Sequence, residues 1–267
     1  MLVRVEDLDR ANSSRENEDR QMVDLERIGL TFTRSSWRQS ERFEIYDAIV
    51  DDLTERGLTY RCFCSRREIR EAASAPHGSS PDGAYTGTCR ELSDAEISER
   101  ISSGRPAAIR LRTDGERHSF VDLLKGVTTG VVDDFVLRRN DGVPAYHLAV
   151  VVDDATQGIT QVVRGDDLLS STPRHVHLQQ LLGVETPQYA HVPLVVGDDG
   201  ERLAKRHGAV TLDDLSGLGV SDHEIVAALL ESLGLPPRLD DARRTFDWGR
   251  LSDQQWTIPE RWQTPRS

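Results

Sequence analysis

Three cysteines, Cys62, Cys64 and Cys89, are the chain's concentration of soft metal donors. The first two are one residue apart and the third follows 25 residues later. An odd number of thiols, two of them nearly adjacent, does not make a disulfide framework. Metal ligation is the better use, because a tetrahedral structural zinc takes four ligands and three thiolates supply most of the set. His77 is a competing donor on general chemical grounds. It lies in a Ser-, Pro- and Gly-rich stretch, Ser74 to Gly83, that reads as a variable excursion between fixed ends. The alternative is three buried free cysteines, which pack as small apolar groups.

The second place where chemistry gathers is residues 145–183, AYHLAVVVDDATQGITQVVRGDDLLSSTPRHVHLQQLLG. Leu148 to Val152 is a continuous apolar run that reads as a strand buried on both faces, ending at Asp153-Asp154, where its carboxyl end would meet solvent. Ile159 to Val163 reads as a second strand and delivers Arg164-Gly165-Asp166-Asp167 into a loop. Thr172 then reads as an N-cap, with Pro173 at the first helical position and Gly183 as the stop. Apolar strand, charged loop and capped helix in succession are how an α/β ligand site is built.

Other elements must position these groups. An opening strand, Leu2-Val3-Arg4-Val5, runs into Glu6-Asp7-Leu8-Asp9. Ser13 or Ser14 can cap a helix placing Met22, Leu25 and Ile28 on one face. Gln39 to Arg56 repeats Phe43, Tyr46, Ile49, Val50 and Leu53 at helical spacing. Ala107 to Arg112 and Val127 to Leu137 read as strands of an inserted unit. Ser221 with Glu224 makes a capping box for a helix to Leu233, ended by Gly234 and Pro236.

The chain has 267 residues and a net charge of -12. No apolar run of about 18 residues is present to span a membrane. The charged start and the cysteine usage favour a cytosolic protein. The acidic balance argues against tight, general binding along a nucleic-acid backbone. It leaves room for a local RNA contact through Arg66, Arg67, Arg70, Arg138, Arg139, Arg243 and Arg244, although solvated helix faces account for such residues equally well.

Four segments in order resemble the class I glutamyl-tRNA synthetases, and especially their shorter paralogues, the glutamyl-queuosine tRNA(Asp) synthetases. They are the opening strand through Asp9; Cys62-Phe63-Cys64 with Tyr85-Thr86-Gly87-Thr88-Cys89; residues 145–183; and Arg202-Leu203-Ala204-Lys205-Arg206, in the place of the KMSKS loop. The resemblance implies an α/β fold: a Rossmann-like nucleotide-binding domain, truncated at its N-terminus, with an inserted zinc-bearing α+β subdomain and a short helical C-terminal region. It divides the chain into 1–60 (first part of the catalytic domain), 61–130 (zinc-bearing insertion), 131–200 (second part) and 201–267 (KMSKS-like loop and helices).

It also implies roles. Tyr85 would join Cys62, Cys64 and Cys89 as the fourth ligand of one structural zinc. Glu6, Tyr146 and Arg164 would bind L-glutamate: Glu6 at the ammonium, the Arg164 fork at a carboxylate, and Tyr146 through its hydroxyl from a strand start. A guanidinium in this place would reject glutamine, whose neutral amide compensates it poorly. Competing readings are a structural salt bridge for Glu6 or Arg164 and a core aromatic for Tyr146. Lys205 would be the catalytic lysine touching the phosphates of ATP, used with magnesium. Here Arg202 replaces the first lysine of the loop and Ala204 its usual serine.

The implied activity is ATP-dependent, tRNA-independent formation of glutamyl-adenylate. Transfer to the queuosine nucleoside in the anticodon loop of tRNA(Asp) would follow, in a cytoplasmic monomer. About 60 residues follow Lys205, too few for the anticodon-binding helices of a full glutamyl-tRNA synthetase. No HIGH-like segment is present. Roughly one βα unit, on the order of 30 to 40 residues, is expected to be absent, as a start placed at an internal methionine would give. As written, the polypeptide is then expected to be unstable or inactive. Two alternatives stand beside this: a truncated synthetase charging the 3′ end of tRNA(Glu), and a noncatalytic fragment.

Overall fold

Alternation of short apolar strands with capped helices organises the computed structural model, which describes residues 2–9, 13–32, 36–65, 67–69, 85–197, 199–203, 211–259 and 262. Strand β1 (Val3–Val5) pairs in parallel with β2 (Ser36–Arg38), and helix α1 (Arg15–Arg27) makes the crossover. Ser14 caps α1 by accepting from the Asn17 N–H, and Glu16 and Glu18 occupy its positive first turn. Glu18 also pairs with Arg38 of β2, tying the crossover to the sheet. Helix α2 (Phe43–Glu55) buries Tyr46, Val50 and Leu53, the face that its sequence spacing predicts.

Strand β3 (Thr59–Cys62) leads into the cysteine region, where Ser93 and Glu96 form a capping box for α3 (Asp94–Ser102). Strands β3, β4 (Ala108–Leu111) and β7 (Val136–Arg138) make an antiparallel sheet in that order. The intervening hairpin, β5 (Arg117–Asp122) and β6 (Gly126–Val131), joins a different sheet. Its order is β6-β5-β9-β8, with β8 at Gln161–Gly165 and β9 at Gln188–Val192. Strand β5 meets β9 in parallel at a single residue pair, Asp122 with Tyr189.

The apolar run at residues 148–152 is not a strand. It lies inside helix α4 (Tyr146–Thr156), in which Leu148, Ala149, Val150, Val151, Val152 and Asp153 are all buried. A helix covered on every side shows no amphipathic period, so composition alone does not separate it from a buried strand. Asp153 accordingly does not meet solvent: it is 0% exposed. Tyr146 begins this helix rather than a strand. The second run does form a strand, β8, but it spans Gln161–Gly165 rather than 159–163, so Arg164 and Gly165 lie in the strand itself and not in the loop expected after it.

Helix α5 (Thr172–Leu182) connects β8 to β9 and stops at Gly183, whose φ of 67° is the left-handed conformation expected of a helix-ending glycine. Thr172 is the first residue of the helix and Ser171 occupies the cap position. Helices α2, α4 and α5 enclose the main core with Leu111, Val132, Phe135 and Leu137.

Beyond it, β10 (Val195–Val196) pairs in parallel with β11 (Trp256–Thr257). They share a smaller core, Leu215, Ile225, Ile258 and Trp262, with helices α6 (Leu212–Gly217) and α7 (Asp222–Ser232). A short helix, α8 (Leu239–Thr245), follows. The Ser221 capping box forms as expected. Arg27 of α1 reaches Asp213 and Asp222 at 2.8 and 2.7 Å, fastening this region to the first crossover. No described helix is long and apolar enough to cross a membrane.

Candidate active site and cysteine cluster

A cavity of 430 Å³ opens between β1, α4 and β8 and brings Glu6, Tyr146 and Arg164 onto one wall system. Arg4, Asp154, Gln157, His175, Gln179 and Tyr189 complete much of the lining. The volume suits a small ligand with several polar contacts. Glu6 is not paired with Arg164. Its carboxylate accepts from Arg4 at 3.1 Å, and Arg4 also grips Asp154 at 2.7 Å and the Gln157 amide oxygen at 2.8 Å. Burial raises the Asp154 carboxyl, against the pull of Arg4.

Arg164 is held differently. Its Nε donates to His191 Nε2 at 3.0 Å, its Nη1 to His175 Nδ1 at 3.1 Å, and its Nη2 to Thr172 Oγ1 at 2.7 Å and to the Leu168 carbonyl at 3.2 Å. Every one of these acceptors is neutral or a neutral imidazole. Among the described residues no carboxylate lies within ion-pair distance of the guanidinium. The commitment of the Thr172 hydroxyl to Arg164 and His191 explains why it does not cap α5. Burial pushes the Tyr146 phenol up, and the phenol feels both the Arg164 cation and the Glu6 and Asp154 anions.

Behind Arg164 lies a buried chain of histidines that the sequence did not single out. His175 Nε2 meets His147 Nδ1 at 2.9 Å, and His191 Nδ1 meets Asp122 Oδ2 at 2.6 Å. Burial, reinforced by the Arg164 charge, lowers His175 well below the ordinary histidine range. Burial together with Arg174 and Arg164 brings His147 down to about 4. His191 is also lowered, burial outweighing Asp122, while hydrogen bonds from His191 and the backbone overcome burial and hold Asp122 below the usual carboxylate value.

The cysteines converge as the spacing predicts. The Sγ atoms of Cys62, Cys64 and Cys89 lie within 4.8 Å of one another. Cys64 and Cys89 are 3.5 Å apart, and the Tyr85 hydroxyl stands 3.4 Å from Cys62 Sγ and 3.7 Å from Cys64 Sγ. Zinc–sulfur bonds of ~2.3 Å at tetrahedral angles put ligand atoms ~3.8 Å apart, so a four-donor set of this size fits the ion. The Cys89 N–H donates to the Tyr85 oxygen at 2.9 Å, and the Arg110 guanidinium covers the Tyr85 ring at 3.8 Å. Burial pushes the Cys64 thiol up to about 12, whereas hydrogen bonds from the Phe63 N–H and the neighbouring side chains outweigh burial and lower Cys89, whose Sγ also accepts from Arg100 Nη1 at 3.7 Å. His77 lies outside the described residues.

The loop after β10 turns at Gly197–Gly200, where Gly200 has φ 74° and its N–H donates to the Gly197 carbonyl. Arg202 pairs with Asp167, linking this loop to the 3-10 helix (Asp166–Ser171) that follows β8. Lys205 and Ala204 lie outside the described residues, as do Arg66 and Arg70. Of the basic residues considered for RNA, Arg138 pairs with Asp47, Arg139 with Asp141 and Arg244 with Asp241. A second cavity, of 480 Å³, lies between β1 and α1 and is lined by Glu6, Asp7, Glu18, Arg38 and Ser40 among others.

The profile of the class I tRNA synthetase (E and Q) catalytic domain matches residues 1–252. A glutamyl-Q tRNA(Asp) synthetase of Nocardia farcinica is 54% identical over 260 residues, which cover 97% of this chain and 82% of that protein. The chain belongs to the glutamyl-Q tRNA(Asp) synthetase family. Another member of the family, from Symbiobacterium thermophilum, is 40% identical over 97% of this chain and 85% of its own length. A glutamate–tRNA ligase of Coprothermobacter proteolyticus is 37% identical over 79% of this chain and 46% of the ligase. The glutamate-tRNA synthetase of Elizabethkingia anophelis superposes with a TM-score of 0.76 at 24% identity, over 98% of this chain. This family member spans 61% of the length of that solved synthetase. The fold is therefore the class I synthetase catalytic fold.

Proposed function

We propose that this chain activates L-glutamate with ATP and passes it to the queuosine nucleoside of tRNA(Asp). The observation that carries the substrate is the charge arrangement of the 430 Å³ cavity. Glu6 and Asp154 gather around Arg4, whereas Arg164, held only by neutral acceptors, has no carboxylate within ion-pair distance among the described residues. A zwitterion with a second carboxylate satisfies both ends: its ammonium at Glu6 and Asp154, a carboxylate at the Arg164 fork, and a hydrogen bond from Tyr146. The acceptor nucleoside is proposed from the 54% identical relative, since no residue of the cavity displays it.

In the activation step the substrate α-carboxylate attacks the α-phosphorus of ATP and pyrophosphate departs. Positioning and charge neutralisation dominate such transfers. Lys205 is the proposed cation at the phosphates, assisted by magnesium. Arg202, paired to Asp167, would hold its loop near the strand end that carries Arg164. Cys62, Cys64, Cys89 and Tyr85 would hold one zinc with a structural role, clamping β3 to the segment before α3. We further propose that the four sequence regions 1–60, 61–130, 131–200 and 201–267 act as units.

Calorimetry on the purified chain tests the pocket: glutamate binds and glutamine does not. Equal heats for both, or none for glutamate, remove the substrate assignment. Labelled glutamate with ATP tests the acceptor, since only tRNA(Asp) carrying queuosine should become labelled. Label on tRNA lacking queuosine would assign 3′-end charging instead. Glutamate-dependent ATP–pyrophosphate exchange tests the activation step.

A further inference from the structure

We propose that Asp122 and His191 are positioning residues for Arg164, fixing the polarity of its hydrogen bonds so that the guanidinium stays aimed into the cavity with no carboxylate in ion-pair distance among the described residues. The inference rests on the reading of that cavity as a glutamate pocket. Arginine donates and cannot accept, so each ring nitrogen it touches must carry a lone pair. His191 Nε2 accepts from Arg164 Nε at 3.0 Å, and the ring's single proton therefore sits on Nδ1, directed at Asp122 Oδ2 2.6 Å away. His175 Nδ1 accepts from Arg164 Nη1 at 3.1 Å, so its proton sits on Nε2 and is donated to His147 Nδ1 at 2.9 Å. The guanidinium thus sets two tautomers, and Asp122 holds the first of them in place.

Asp122 is itself immobilised. Its Oδ1 accepts from the backbone N–H groups of Lys125, Leu124 and His191 at 2.9, 3.0 and 3.3 Å. It stands at the one register pair that joins β5 to β9, and it is 1% exposed beside a His191 that is 0% exposed. The acid therefore reaches Arg164 only through a neutral ring. A carboxylate placed directly on Arg164 would neutralise the fork that a substrate carboxylate needs; interposing imidazole keeps the orientation and leaves the charge available.

Asp122→Asn separates these roles, because the side chain keeps its shape. The amide oxygen must stay at Oδ1, where three N–H groups point. The amide nitrogen then faces His191 Nδ1, drives the ring to the Nε2–H tautomer, and sets N–H against N–H at Arg164. The expected result is glutamate affinity weakened about ten- to hundredfold, the range for a hydrogen bond to a charged group. In ATP–pyrophosphate exchange the KM for glutamate rises in step while that for ATP stays within twofold. Nitrogen-15 NMR of histidine-labelled wild-type chain gives a second readout that needs no variant: His191 protonated on Nδ1 alone and His175 on Nε2 alone at neutral pH. Glutamate affinity of D122N within twofold of wild type overturns the inference, as does a His191 imidazolium or Nε2–H tautomer in the NMR spectrum. Absence of glutamate binding by the wild-type chain overturns the pocket reading, a failure distinct from that of the tautomer assignment.

Discussion

Replacing Asp153 by asparagine should destabilise the fold by about 3–5 kcal/mol, the range for removing one partner of a buried ion pair. Asp153 is fully buried on α4. Its Oδ1 accepts from Arg42 Nε at 2.9 Å, and its Oδ2 from Tyr46 Oη at 2.8 Å and Gln39 Nε2 at 3.2 Å. An asparagine oxygen can serve one side only. If it keeps Tyr46 and Gln39, its NH2 faces the Arg42 N–H; turned round, it faces the tyrosine hydroxyl and the glutamine amide. In the first case Arg42 becomes a mostly buried cation with Trp37 stacked 4.2 Å away, no acid, and an Nη2 that already lacks a partner among the described residues. Two or three hydrogen bonds to a charged group, at about 1.5–3 kcal/mol each, give the same order of loss after the contacts an amide retains are subtracted. Tyr46→Phe, which removes one of them, should cost about 1–2 kcal/mol. Urea unfolding followed by circular dichroism measures both. In a chain of this size, 3–5 kcal/mol lowers Tm by roughly 6–20 °C. A D153N midpoint corresponding to less than about 1 kcal/mol, at unchanged m-value, would refute the claim that this carboxylate anchors α4 to α2.

Three further outcomes follow from the site. Arg164→Lys keeps the charge, but one ammonium cannot serve His191, His175, Thr172 and Leu168 together; glutamate binding should weaken by at least about tenfold, and calorimetry showing wild-type affinity would contradict this. Cys64→Ser, or exhaustive chelation, should release the zinc proposed for the cluster and lower Tm by several degrees; metal analysis that finds no zinc in the wild-type chain removes that proposal. Lastly, stability should fall as pH drops from about 6.5 to 4. His147 is held near 4 in the fold and titrates near 6.5 when unfolded, so the unfolded state binds more protons in that window and stability rises with pH. The histidine term is about 3 kcal/mol by the rule of 1.36 kcal/mol per pKa unit, and a flat stability between pH 7 and 5 would argue against it.

Residue chemistry was readable in the sequence where it repeats a local pattern. The Cys-x-Cys pair, the Ser14 and Ser221 caps and the Gly183 stop depend on neighbours a few positions away, and each forms. For Glu6, Tyr146 and Arg164 the signal is the family likeness and not a local pattern, and the fold brings them to one cavity. The sequence of helix α4 does not distinguish it from a buried strand, because burial on all sides erases the 3.6-residue period. The histidine chain was invisible for a different reason: His191 meets a carboxylate 69 positions away and His147 meets His175 across 28. Lone histidines carry no periodic signal. The one available hint was the closely spaced His175 and His177 in a helix also holding Thr172 and Gln179, polar groups on a segment with little exposed surface.

Helix α4 joins two ends of the molecule's energetics. Its first residue, Tyr146, lines the cavity; Asp154 near its end holds Arg4 of β1; Asp153 between them grips α2. Occupancy of the cavity and cohesion of the main core are therefore thermodynamically linked through one rod. A bound ligand stabilises the fold in proportion to the logarithm of its concentration over Kd, and here that gain should concentrate in slowed amide exchange along 146–156. The same linkage runs backwards: a core substitution such as Tyr46→Phe, which touches no ligand, should loosen ligand binding by the amount that it frees α4 to move.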